Sequence, residues 1–303
     1  MKSAETFHSK GPILFDFLPR RRTANAAFFA MVAWMIMSVL PLVQQIEAAE
    51  PDPTRAPGDE RAFVNIFNGK DLTGWDGDPR FWSVRDGILR GETTTASAAE
   101  HNTFLILRGQ EPADFVLKLS FRIMAEGNSG VQFRSRDLGD WEVAGYQAEI
   151  ANDRPDPGIG TGFVLDEHGR GGRDAYGPRG DLGRVGELVV IDPAGKRNVV
   201  ARVGDIKALM AVGYYKNNDW NDYTIVAQGN RIRTWVNGYQ TLELIDDDPR
   251  KLARGIVALQ IHRGKPMVVE FKDLKLQILD AALPPGSRKF NDQGQSGWAT
   301  TPD

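Results

Sequence analysis

The stretch Asp114-Phe115-Val116-Leu117-Lys118-Leu119-Ser120-Phe121-Arg122-Ile123-Met124 decides the fold. Phe115, Leu117, Leu119, Phe121 and Ile123 take one side of an extended chain, while Lys118, Ser120 and Arg122 take the other, because successive strand side chains point to opposite faces. A strand with one dry and one wet side belongs to an antiparallel sheet that packs on a core through a single face. Outward from it, between Phe63 and Leu279, short apolar-alternating runs recur between Gly, Pro, Asn and Asp, and no stretch carries a helical period. Tyr223 to Gln228 and Arg231 to Val236 flank Gly229-Asn230, and Asn237-Gly238 turns into Tyr239 to Ile245, which predicts three antiparallel strands in succession. In the last run the apolar phase slips from Val269 and Phe271 to Leu274, Leu276 and Ile278, so a β-bulge is expected near Lys272 or Asp273. That many short strands predicts an all-β domain of two packed antiparallel sheets, a β-sandwich or jelly roll.

A second stretch sets polar side chains at period two. In Asn128-Ser129-Gly130-Val131-Gln132-Phe133-Arg134, parity puts Gln132 and Arg134 opposite Val131 and Phe133; in Gly145-Tyr146-Gln147-Ala148-Glu149-Ile150 it puts Gln147 and Glu149 opposite Tyr146 and Ile150. One face of these neighbouring runs reads as core and the other as a site. Gln260 and His262 share a parity opposite Leu259 and Ile261 and join the polar side.

The chain has 303 residues with 41% hydrophobic content and a net charge of −3. That balance leaves no basic footprint, so nucleic acid is not an expected partner, and neutral ligands remain open. Zero cysteines exclude disulfides, a thiolate nucleophile and a thiolate metal site. Arg20-Arg21-Arg22 precede an apolar run from Ala24 to Val43, with small residues at Ala48 and Ala49. Residues 1–49 therefore read as a signal peptide or an uncleaved membrane anchor, with the domain exported either way: periplasmic, secreted, or membrane-anchored and facing outward. Residues 50–62 read as a Pro-rich linker, 63–279 as the folded domain, and 280–303, opened by Pro284-Pro285-Gly286, as a loose tail.

Phe67-Asn68-Gly69-Lys70-Asp71-Leu72-Thr73-Gly74-Trp75 is followed by Trp82 with Asp86-Gly87-Ile88-Leu89 and by Asn128-Ser129-Gly130 with Phe133-Arg134. Gly145-Tyr146-Gln147, Trp220-Asn221, Asn237-Gly238 and Gly255-Ile256 to Leu259-Gln260-Ile261-His262 complete the order. This series resembles the 3-keto-disaccharide hydrolase domain family across residues 63–279. The resemblance implies a concanavalin-A-like sandwich that cleaves glycosides oxidised at sugar carbon 3. The family's motif reads Gly-Tyr-Glu-x-Gln where this chain has Gly145-Tyr146-Gln147-Ala148-Glu149, with acid and amide exchanged. Val164-Leu165-Asp166-Glu167, with Arg170, resembles the longer loop of a subgroup.

A ketone at carbon 3 acidifies the proton on carbon 2, so a base can remove it and the enolate can expel the glycosidic oxygen from carbon 1. The site needs a general base, donors for the enolate oxygen, and an acid at the leaving group. Glu149 and His262 are the candidate proton-transfer groups and Arg134 the candidate binder of the oxidised sugar; Asn128, Gln132, Gln147, Asp166, Glu167 and Gln260 are the candidate substrate contacts. A retaining glucanase on such a fold would carry Glu-x-Asp-x-x-Glu on one strand, and that motif is absent. No cofactor is expected. His101 and His168 lack zinc-type spacing, so no transition metal is expected, and a structural calcium is left open.

Structural alternatives stand beside each reading. Arg134 and Glu149 also fit a cross-strand ion pair, and a non-catalytic carbohydrate-binding module would keep the same fold and polar face. Trp75, Trp82 and Trp220 read as packing residues, with Trp235 left open for sugar stacking. Asp246-Asp247-Asp248 reads as a solvated turn, and the Gly-rich span Pro157 to Gly183 as a long loop able to cover the site.

Overall fold

The computed structural model describes residues 62–124, 126–152, 160–168 and 180–279, and the backbone of 288–290 and 296–298. The apolar run at Ala24 to Val43, on which the expectation of export rests, lies outside them.

Two sheets form the domain. In spatial order the larger runs β12 (Arg197–Arg202), β11 (Glu187–Ile191), β15 (Tyr239–Asp246), β14 (Arg231–Val236), β13 (Asn221–Gln228), β6 (Phe115–Ile123), β17 (Val268–Ile278), β4 (Ile88–Glu92) and β3 (Trp82–Arg85). A short β1 (Val64–Asn65) also pairs with β17. The smaller sheet runs β10 (Gly180–Gly183), β9 (Val164–Glu167), β8 (Glu142–Ala151), β7 (Asn128–Gly139), β16 (Ile256–Ile261), β5 (Thr103–Leu107) and β2 (Trp75–Asp76). Neighbours are antiparallel except β11 and β15, which run parallel. Near the C-terminus, β18 (Arg288–Phe290) pairs with β19 (Ser296–Trp298) inside the segment expected to be a tail.

The alternation in β6 does what its pattern requires. Phe115, Leu117, Leu119, Phe121 and Ile123 enter the core between the sheets, where the smaller sheet contributes Leu105, Val131, Phe133, Tyr146, Ala148, Ile150, Leu259 and Ile261. Phe133 stacks on Tyr146 with centroids 5.4 Å apart and meets Phe115 edge-on at 6.1 Å, so aromatic contacts tie β7 to β8 and to the facing sheet. The three successive strands β13, β14 and β15 form where the turn residues place them. The expected bulge is present: the β17–β6 register shifts between Lys272 and Lys275, and Asp273 takes φ +54°.

Three readings need correction. The span from Pro157 to Gly183 is not one loop, since Val164–Glu167 and Gly180–Gly183 are β9 and β10, paired and extending the smaller sheet. One short helix, α1 (Ile206–Ala211), forms where no helical period was legible, started by Asp205, whose carboxylate accepts from the backbone N–H of Ala208. Asp246 and Asp248 are buried rather than solvated, because Tyr146 Oη donates to Asp246 Oδ2 at 2.5 Å and Arg250 closes on Asp248. Only Asp247 of that triplet is exposed.

The smaller sheet bends sharply at one place. The β7–β8 register shifts between Phe133 and Arg136, where Arg134 takes φ +47°. Beyond that bulge the hairpin turns back across the sheet to reach β5. Val143 packs with Phe104, Ile106, Ile256 and Ala258, and the N–H of Phe104 donates to the Trp141 carbonyl at 2.9 Å. Two glycines make the bend sterically possible. A Cβ on Gly145, at φ +148°, would meet Ser135 Oγ at 2.6 Å, and one on Gly255, at φ +155°, would meet the Ser135 carbonyl oxygen at 2.3 Å. The second clash is with backbone that cannot rotate away. Gly255→Ala is therefore expected to destabilise the domain by about 1–3 kcal/mol, the range for forcing extra volume into a packed interior. Urea unfolding measures it, and an unchanged midpoint would mean that the bulge yields without cost.

Candidate active site

The face of the smaller sheet opposite the core carries a row of polar side chains. In register, Gln132 on β7 pairs with Gln147 on β8, Gly130 pairs with Glu149, and Ala258 on β16 pairs with Gln132. Gln132, Gln147, Glu149 and Gln260 are buried, and Asn128 is half-buried. Buried polar groups need partners, and here they supply one another. Asn128 Nδ2 donates to Glu149 Oε1 at 3.0 Å, and Gln147 Nε2 donates to Glu149 Oε2 at 2.8 Å. The same Gln147 nitrogen reaches Gln260 Oε1 at 3.2 Å, and Gln132 Nε2 donates to Gln147 Oε1 at 2.8 Å. Period-two alternation thus brings together Asn128, Gln132, Gln147, Glu149 and Gln260.

Each small residue of the Asn-Ser-Gly segment has a local task. A Cβ on Gly130 would lie 2.4 Å from the Gln147 side chain, so only glycine there leaves the space in which Gln147 crosses between Glu149 and Gln260. Ser129 points the other way and its hydroxyl donates to the Gln260 carbonyl at 2.7 Å, fastening β16 to β7. The Glu149 backbone is held as well: its N–H donates to Phe163 O, and its carbonyl accepts from Gly162 N and, at 3.2 Å, from the buried Tyr223 hydroxyl of the facing sheet. Burial raises the Tyr223 hydroxyl pKa well above its ordinary value, which keeps that group a donor.

Arg134 does not join the row, and the parity expectation fails there because of the bulge. Its left-handed φ turns the guanidinium toward the larger sheet, where Nε donates to Ala113 O at 2.6 Å, Nη1 to Gly229 O at 2.7 Å and Nη2 to Asp114 Oδ1 at 2.9 Å. The ion pair expected with Glu149 is made with Asp114 instead. Burial lowers the Arg134 pKa, with the Asp114 charge acting against that shift.

Asp166 also takes the other face. It pairs with Tyr146, a core-side residue, and lines a cleft of about 60 Å³ with Arg136, Tyr146 and Arg250. Glu167, one residue on, pairs with Gly145 and so takes the Gln147 side, where it accepts from Asn102 Nδ2 at 2.8 Å. His262 stands just past the end of β16, half-buried, with Nδ1 2.7 Å from the Arg263 carbonyl. A carbonyl only accepts, so Nδ1 carries a proton and Nε2 is the ring nitrogen left for proton exchange. His101 and His168, distant in sequence, flank Glu142 at 3.7 and 3.8 Å. Among the described residues no group of three or more His, Cys, Asp or Glu side chains is arranged to hold a metal ion.

The tryptophans pack. Trp75 and Trp82 are buried in the main core, and Trp75 Nε1 donates to Ile66 O at 2.7 Å. Trp235, the one left open for sugar stacking, is buried against Val116 and Val226 on the outer side of the larger sheet. Trp220 lies beneath Lys272 and Arg122, with cation-to-centroid distances of 4.2 and 4.9 Å.

Sequence reasoning missed Ser135 and Gly130. Ser135 Oγ donates to Gln132 Oε1 at 2.7 Å, but the bulge that aims it there breaks the parity by which faces are read. A glycine inside an alternating strand was the legible signal at 130, since it marks close approach of another group.

Residues 62–277 match the profile of the family described as the 3-keto-alpha-glucoside-1,2-lyase-like domain. A 3-keto-disaccharide hydrolase of Bacteroides thetaiotaomicron is 24% identical over 106 residues, which cover 31% of this chain and 35% of that protein, so the match spans about a third of that relative's length. Among solved structures, a provisionally assigned glycosyl hydrolase from Parabacteroides distasonis shares 19% identity over 72% of this chain and 99% of its own, with a TM-score of 0.44. A carbohydrate binding module, CBM66 from Bacillus subtilis, shares 13% identity over 70% of this chain and 99% of its own, with a TM-score of 0.43.

Proposed function

This chain belongs to the 3-keto-alpha-glucoside-1,2-lyase-like domain family, and we propose that it cleaves the glycosidic bond of 3-keto-glycosides with Glu149 as the base that takes the proton from sugar carbon 2. The observation that carries this reading is the make-up of the buried row: a single carboxylate, Glu149, with an amide donor on each oxygen. Conventional glycoside hydrolysis by double or single displacement needs two carboxyl groups across the scissile bond. Among the described residues the hydrogen-bonded row offers one: Glu167, on the same face, lies outside the row and accepts from Asn102, and Asp166 faces away. One base suffices when a carbon-3 ketone has already made the carbon-2 proton acidic.

In the proposed reaction the carbon-2 proton passes to Glu149, the electron pair of that bond becomes the enolate, and the carbon 1–oxygen bond breaks as the leaving oxygen takes a proton. His262 is proposed as that proton's source in its protonated, imidazolium form: Nδ1–H stays on the Arg263 carbonyl, and Nε2–H gives its proton to the leaving oxygen, which leaves the neutral ring. Elimination alone yields the unsaturated keto sugar. Water addition to that product gives net hydrolysis, and the same base serves both. Export, suggested by Arg20-Arg21-Arg22 ahead of the apolar run from Ala24 to Val43, would place this activity outside the cytoplasm.

The test is to incubate the purified protein with a 3-keto-glucoside bearing a chromogenic leaving group, alongside its unoxidised parent. Release from the keto compound only is expected. Release from both at similar rates would point to a conventional glycosidase, and release from neither, with measurable sugar binding, to a carbohydrate-binding module.

A further inference from the structure

We infer that Ser135 and Gln132 are positioning residues for Glu149, acting through Gln147; the inference rests on the proposed role of Glu149 as the base. The hydrogen bonds run in one direction. Ser135 Oγ donates to Gln132 Oε1 at 2.7 Å, Gln132 Nε2 donates to Gln147 Oε1 at 2.8 Å, and Gln147 Nε2 donates to Glu149 Oε2 at 2.8 Å. An ionised carboxylate only accepts, whereas a carboxamide has one accepting and one donating end. The charged end therefore fixes every orientation behind it. Gln147 must turn its NH₂ to Glu149, which turns its oxygen to Gln132; Gln132 must answer with its own NH₂, which leaves its oxygen for the Ser135 hydroxyl.

Both protons of the Gln147 amide are used, one on Glu149 and one on Gln260 Oε1 at 3.2 Å. Every member of the relay is nearly without solvent: Gln132 is 0%, Gln147 1%, Ser135 2% and Glu149 3% exposed. In such surroundings a reversed amide would set its carbonyl against a carboxylate, with little water to screen the repulsion. Ser135 is itself aimed by the bend, wedged where a side chain on either Gly145 or Gly255 would strike it. The bulge that takes Arg134 out of the row thus puts Ser135 into it. The relay holds the Glu149 carboxylate in one rotamer, and its donors have no acidic proton to yield in place of the substrate's.

The experiment reads both rate and titration in two variants of Gln132. In Gln132→Met the side chain keeps its length and loses both polar ends; kcat is expected to fall about tenfold to a hundredfold, the cost of a small misplacement of a reacting group, with a smaller change in KM. In Gln132→Glu an acceptor-only group draws the NH₂ of Gln147 to itself, so the Gln147 carbonyl turns on Glu149. The like charge at position 132 acts in the same sense, and the Glu149 pKa is expected to rise by about one unit or more. The acidic limb of the kcat/KM profile then moves up in pH. So does the Glu149 titration followed by carboxyl ¹³C NMR, assigned by loss of its signal in Glu149→Gln. Ser135→Ala, which fits the same space, is expected to act in the direction of Gln132→Met with a smaller amplitude.

A purely structural role would shift the thermal midpoint and leave the limb and the NMR titration in place, and that result overturns the inference. Should Gln132→Glu not fold, Gln132→Met and Ser135→Ala decide it on kcat alone. If the unaltered protein fails to turn over the 3-keto substrate, the proposed reaction is what fails, while the NMR titration still tests the relay.

Discussion

Glu149→Gln is expected to lower turnover of a 3-keto-glucoside by about 10²–10⁴-fold, the usual contribution of a positioned proton-transfer group. The substitution is isosteric, so the side chain still fills its place beside Gly130 and Gln147, and the fold is expected to persist. What changes is the chemistry of one atom. Both amides that now donate to the carboxylate, Asn128 and Gln147, would face a group that is itself half donor. Steady-state kinetics on the keto substrate, with circular dichroism as the control for folding, measures the effect. Turnover within a few-fold of the unaltered protein would remove Glu149 from the mechanism and leave His262 as the proton-transfer candidate to examine.

The second large effect is expected in stability. Arg134, 1% exposed in its side chain, spans the two sheets: it leaves β7 and bonds the backbone before β6, the turn between β13 and β14, and the Asp114 carboxylate. Arg134→Met would leave two carbonyls and a carboxylate without that donor, although Asp114 still accepts from the N–H of Gly229 at 3.0 Å. Removing one partner of a buried pair typically costs about 3–5 kcal/mol. Asp114 keeps 19% exposure of its side chain and so retains some hydration, which places the expected loss near the lower end, about 3 kcal/mol. Denaturant unfolding would show it as a lower midpoint at unchanged slope. A loss under about 0.5 kcal/mol, the range of ordinary surface substitutions, would mean that the interlock is incidental.

The two faces of the smaller sheet show why some of this was legible in the sequence and some was not. Side-chain parity is a local rule, and where β7 and β8 run without interruption it placed Gln132, Gln147 and Glu149 on one face correctly. A bulge inserts an extra residue and inverts parity beyond it. Arg134 was therefore assigned to the wrong face and Ser135 was overlooked, although the bulge in β17 was legible from the slip of its apolar phase. No comparable slip marks Phe133-Arg134-Ser135, because Arg134 and Ser135 are polar yet both buried and leave no apolar phase to follow. The burial of Asp246 and Asp248 was illegible for a related reason: their partners, Tyr146 on the facing sheet and Arg250 beyond the turn, are set by tertiary packing and not by the run of three acids. Turn chemistry, by contrast, is written in adjacent residues, and Gly229-Asn230 and Asn237-Gly238 fixed β13, β14 and β15 to within a few residues.

The central claim is that bond cleavage passes through loss of the carbon-2 proton. The most direct measurement starts from a 3-keto-glucoside carrying deuterium at carbon 2, cleaved in ordinary water, with the sugar product analysed by mass spectrometry against an enzyme-free control. The account predicts that deuteration slows cleavage and that the unsaturated keto sugar appears without the label, which passes to Glu149 and from there to water or, on hydration, back to carbon 2. A rate unchanged by deuteration, with the label kept whole in the product sugar, would contradict it, since cleavage would then have occurred without touching carbon 2.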